Sequence, residues 1–155
     1  MFLLVLSRSA PILVETSATA SMNTEIKQSL HTILTYLLTA VWLVNGLFCK
    51  VLKLVPRHEE IVATILGATY ARELTLMIGC AEILMAIWIF SGLLSRFNAI
   101  TQISIVMLMN VLEMILVPHL LLWGYMNLVF ALLFCALIYY WEFTLNYGLK
   151  RKSKC

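Results

Sequence analysis

The stretch LTLMIGCAEILMAIWIFSGLLS, Leu74–Ser95, holds twenty-two residues with no basic group and a single carboxyl, Glu82, close to its middle. An apolar run of this length crosses the ~30 Å hydrocarbon core of a bilayer as a helix. A carboxyl at that depth is costly unless it is partnered or protonated. Arg72, Thr75, Gly79, Glu82 and Ala86 recur at helical spacing along one face, so Glu82 is expected to look toward other helices rather than toward lipid.

The whole chain has the composition this stretch implies. Of its 155 residues 62% are hydrophobic and 12% charged, with a mean hydropathy of +0.93, against roughly 25% charged residues in soluble domains. The expected fold class is all-α: a polytopic membrane four-helix bundle with a short interfacial helix between spans 1 and 2. Much of the net charge of +3 comes from the tail Lys150, Arg151, Lys152 and Lys154, which fits a membrane flank and not a nucleic-acid site. The four cysteines form no CxxC pair and no Cys/His cluster, which argues against a dithiol relay or a structural zinc site.

Outward from Leu74–Ser95, the short connection at Ser95 and Arg96 leads into an antiparallel third span, about Phe97 to Val117, ended by Pro118. Asn98, Gln102 and Glu113 share one side of it, with Asn110 one turn from Glu113. The fourth span runs from about Leu120 to Phe143, with Asn127 early and Glu142 at its far end. On the other side, the first span covers about Leu30 to Phe48. Between it and the second, Pro56, the acids Glu59 and Glu60, and the apolar Ile61, Val62, Ile65 and Leu66 form the short interfacial helix. Residues 1–28 read as a poorly ordered amino-terminal extension, with Met22 as an alternative start. Residues 29–147 form the transmembrane domain, and residues 148–155 a basic tail. Under four spans, seven Lys and Arg fall on the side of the termini and four on the other. Both termini are therefore expected in the cytoplasm.

Depth brings the polar residues together. Glu82 lies thirteen residues before Ser95 and Asn110 thirteen after Phe97, so at ~1.5 Å per residue both stand about 20 Å from the turn between spans 2 and 3. Glu113 is one turn further out, and Asn127 and Asn45 approach the same level from their own span ends. The expectation is an intramembrane polar cluster of Glu82, Asn110, Glu113, Asn127 and Asn45, with Lys50, Arg57, His58, Arg72 and His119 at its mouth. Interhelical hydrogen bonding alone is the competing explanation, at roughly 0.6–2 kcal/mol per bond.

The segments GLFCKVLKLVPRHEEIV (Gly46–Val62), IGCAEILMAIWIFSG (Ile78–Gly92) and MNVLEMILVPHLLLWG (Met109–Gly124) resemble the DoxX-like membrane proteins. The resemblance covers about residues 30–147 and implies a four-helix membrane bundle of the bacterial inner membrane. Some relatives are linked to quinone-coupled sulfur oxidation, so quinone is the cofactor suggested by analogy; the residues themselves identify none. No nucleotide loop, haem-ligand pair, metal cluster or nucleophile triad is recognisable. The reading is an accessory or redox-associated membrane subunit without a self-contained catalytic motif. A quinone-reactive oxidoreductase subunit and a small proton-coupled carrier using Glu82 and Glu113 are the alternatives. The lipid bilayer and either a membrane protein partner or further copies of the chain are the expected contacts, with no nucleic acid.

Overall fold

A computed structural model describes the backbone at residues 2–121, 123–146 and 149, and side chains from residue 21. Five α-helices follow one another: α1 (Phe2–Leu43), α2 (Arg57–Leu66), α3 (Ala71–Ser91), α4 (Ser95–Leu116) and α5 (Met126–Tyr139). Two of them continue as π-helix, α1 over Val44–Val51 and α5 over Tyr140–Asn146. Among the described residues there is no strand, and four helical segments are long and apolar enough to cross a membrane: Ser21–Val51, Ala68–Ser91, Ser95–Leu116 and Met126–Asn146. α2 is the short helix between the first two.

The boundaries differ from expectation in two places. Residues 21–28, expected to belong to a poorly ordered extension, continue the backbone of α1, because no Gly or Pro interrupts the chain between Pro11 and Gly46. The connection between α3 and α4 lies at Gly92–Leu94, not at Ser95 and Arg96. Gly92 takes the left-handed φ of 66° that ends α3, Leu94 follows at φ 48°, and Ser95 already opens α4. Glycine adopts that conformation without a Cβ penalty and is the usual helix stop. The basic tail expected over 148–155 lies outside the described residues, Leu149 apart.

The helices pair as two halves. α1 with its π-helical end packs along α3, and α2 covers α3; α4 packs along α5. The halves meet chiefly at the turn end, where α1 and α4 touch Tyr140–Asn146 and α3 touches α4. There the fully buried apolar side chains collect: Leu38 of α1, Ile89 of α3, Ala99 of α4 and Ile138 of α5, with Trp42, Met85, Trp141 and Leu145 around them. Lipid tails are as apolar as leucine, so close packing and hydrogen bonds, not transfer from water, hold such an interface. The outward faces carry Leu84, Ile87, Phe90, Leu108 and Leu133, the pattern of a lipid-facing surface. Away from the turn the halves diverge, and the polar residues lie between them.

Candidate functional site

The site begins with two glycines. A Cβ on Gly46 would stand 2.7 Å from the Gly79 carbonyl oxygen and 2.9 Å from Glu82 Cβ, and a Cβ on Gly79 would stand 2.9 Å from the Gly46 oxygen. Only glycine at both positions lets the backbones of the first half approach this closely. The approach occurs inside the π-helical segment, whose i→i+5 spacing is visible in the Leu52 N–H donated to Leu47 O at 2.8 Å. In an α-helix Asn45 and Lys50 point to different faces. The wider π turn aligns residues five apart and brings both over Glu82.

The result is a buried ion pair. Lys50 Nζ donates to both carboxylate oxygens of Glu82 at 2.8 Å, and Asn45 Nδ2 donates to Glu82 Oε1 at 3.1 Å. Lys50 is 3% exposed and Glu82 5%. Arg72 steadies the segment from outside, donating to the carbonyls of Lys50 and Val51 at 3.0 Å each, where a helix C-terminus leaves acceptors unsatisfied. Lys53 and Glu59 pair at 2.9 Å beside it.

Facing this wall is a cavity of about 350 Å³, into which α4 and α5 present Asn110, Glu113 and Asn127, and α2 presents His58. Asn110 spends one amide hydrogen on Val106 O of its own helix at 2.9 Å. Glu113 is half-buried and makes no ion pair among the described residues. The same two helices also present apolar and aromatic side chains, Ile105, Met109, Phe130 and Phe134, with Trp123 just before α5. Trp42 forms the floor: its indole N–H donates to Gln102 Oε1 at 2.8 Å, and Gln102 Nε2 donates to Asn98 Oδ1 at 2.6 Å. Among the described residues no group of three or more His, Cys, Asp or Glu is arranged to hold a metal ion.

Burial, followed by the positive charges of Lys50 and Arg57, lowers the His58 pKa from 6.5 to about 4. The imidazole is therefore neutral at pH 7, with one nitrogen free to donate and the other to accept. A depressed folded-state pKa contributes stability that is fully present above pH 6.5 and lost as the pH falls through 6.5 toward about 4. His58→Gln should flatten the pH dependence of the unfolding midpoint in that window. An unchanged slope would show that His58 does not set it.

The cavity thus brings together Asn45, Lys50, His58, Glu82, Asn110, Glu113 and Asn127. Of the five residues expected at the mouth, only His58 and Lys50 line the cavity. Lys50 belongs to the centre and not to the mouth, because the π turn swings it inward. Arg72 does not line the cavity and braces backbone instead. His119 also lies outside the lining, in the 3₁₀ turn Pro118–Leu120. Arg57 stands beside His58 at the start of α2 without lining the cavity. A second buried group at the turn end was not anticipated as a cluster: Glu142 accepts from Ser95 Oγ at 2.9 Å and from Asn146 Nδ2 at 2.6 Å. Its signal is the i, i+4 spacing of Glu142 and Asn146 opposite Ser95.

Residues 39–139 match the DoxX-like family. The chain belongs to the DoxX-like family. Together with the four apolar segments, this makes it a multi-pass membrane protein. No curated protein and no solved structure gives a significant match. In this DoxX-like chain the matched region contains all seven polar residues that line the cavity.

Proposed function

We propose that this DoxX-like protein is an accessory subunit of a membrane redox enzyme, holding a quinone ring in the cavity between its two halves. The observation that supports this most is the mixed lining of that cavity: the Lys50–Glu82–Asn45 group of the first half faces α4 and α5, which present Asn110, Glu113 and Asn127 among the aromatic Phe130 and Phe134, with Trp123 just before α5. Small-molecule sites are mostly apolar with a few placed polar groups. A ring with carbonyl acceptors needs hydrogen-bond donors at its edge and aromatic surface on its face. Asn110, Asn127 and the neutral His58 supply donors, and Glu113 supplies a carboxyl able to take or give a proton. When bound, a quinone supplies two-electron, two-proton redox chemistry; the chain's part is to bind and orient the ring. The bacterial inner membrane with both termini in the cytoplasm is the placement that the resemblance and the seven-to-four Lys and Arg count support.

A carrier role is less well supported, because the Trp42–Gln102–Asn98 chain closes the floor of the cavity.

The test is gentle purification followed by mass-spectrometric inventory of retained quinones and proteins, with tryptophan quenching on addition of a decyl-substituted benzoquinone to protein in lipid nanodiscs. Retained quinone, a copurifying redox protein and saturable quenching are expected. Asn127→Leu should weaken binding about fivefold, the value of one hydrogen bond near 1 kcal/mol. Absence of both retained quinone and quenching would overturn the reading.

A further inference from the structure

We infer that the cavity loads sideways, through the gap between α1 and α5, and that its ligand is a membrane-dissolved amphiphile whose hydrocarbon chain stays in that gap. The inference rests on the reading of the cavity as a binding site and adds the route and the form of the ligand. Three residues that line the cavity are also open to the surroundings: Val41 of α1 is 42% exposed, Phe130 of α5 is 45% exposed, and Trp123, in the turn before α5, is 60% exposed. The depth of Val41 and Phe130 identifies what surrounds those two. Trp42, next to Val41, bonds to Gln102, which lies seven residues along α4 from Ser95, or about 10 Å from the turn end. Phe130 stands twelve residues before Glu142, the partner of Ser95, or about 18 Å from the same end. Both depths fall well inside a span of twenty-two residues, about 33 Å long. An opening at this level faces hydrocarbon, not water.

The gap follows from the architecture. α1 meets the second half mainly through Tyr140–Asn146, at the turn end, and α1 and α5 are not among the closely packed helix pairs. Volume supplies an independent reason for the chain to leave. About 350 Å³ lies at the small end of the ~300–1,000 Å³ typical of ligand pockets, enough for a substituted ring and too little for a long tail folded beside it.

The test compares association of two probes with protein in nanodiscs by stopped-flow tryptophan quenching: a dimethoxy-methyl-benzoquinone bearing a decyl chain, and the same ring without it. Val41→Phe narrows the gap at an exposed position. It should slow association of the decyl compound about tenfold and that of the tail-less ring much less, since the free ring can also enter past the exposed Trp123, and binding routes that demand rearrangement lose on-rate. Val44→Phe, also exposed, at the start of the π-helical continuation of α1 and outside the cavity lining, should change neither. An unchanged decyl rate in Val41→Phe, or equal slowing of both probes, would overturn lateral loading. Wild-type protein that binds the tail-less ring but not the decyl compound would overturn it while leaving the cavity reading intact. Binding of neither probe would overturn both.

Discussion

Lys50→Met is expected to lower the unfolding free energy by about 3–5 kcal/mol, the usual cost of removing one partner from a buried pair. The loss comes less from the missing attraction than from the stranded carboxylate. Glu82 would keep only the Asn45 amide at 3.1 Å, in a position 5% exposed. The double variant Lys50→Met/Glu82→Leu should recover most of the loss, because it removes both desolvated charges and returns the helix pair to apolar contact. Chemical unfolding of the two variants and the wild type in the same lipid nanodiscs measures this. Equal stability of the single and double variants would show that the pair is not coupled as its geometry requires. The double variant also separates stability from function: a folded protein that no longer takes up quinone would place the pair's value in the cavity.

Gly46→Ala should cost about 1–3 kcal/mol, as overpacking of a close interface does. The added methyl would meet the Gly79 carbonyl at 2.7 Å, a backbone atom that cannot rotate away. Relief requires α1 and α3 to separate, which draws Lys50 off Glu82. The substitution should therefore reduce ligand uptake as well as stability. Gly79→Ala meets the Gly46 oxygen at 2.9 Å and Lys50 Cβ at 3.0 Å and should behave alike. Cys80→Ala, one residue on and exposed, should stay within about 0.5 kcal/mol of wild type. If Gly46→Ala matched Cys80→Ala in unfolding measurements, the tight approach would not be limiting.

The four spans were legible because they depend on quantities a sequence carries directly: the length of apolar runs, the stop at Pro118, and 1.5 Å per residue from a short turn. The same count placed Asn110 and Asn127 at one depth with Glu82, and all three line the cavity. Lys50 was misplaced for a physical reason. An α-helical count keeps Asn45 and Lys50 on separate faces, and nothing in VNGLFCKV announces a change of helical period. Arg72 was expected at the mouth of the cluster, yet it holds carbonyls that exist as acceptors only because the π segment stops there. The Ser95–Glu142–Asn146 group depends on which helix neighbours which, information that residue spacing within one span does not contain.

The separation of the molecule into two halves has a mechanical consequence. Lys50, Glu82 and Asn45 all belong to the first half, Asn110, Glu113 and Asn127 to the second, and no hydrogen bond or ion pair among the described residues joins the two sets. The walls can tilt apart about the packed turn end without breaking an ion pair. The Trp42–Gln102 bond at the floor acts as the last cross-tie. Stiffness of the open end is therefore supplied by whatever bridges the walls, and a bound molecule serves this bundle as its missing strut.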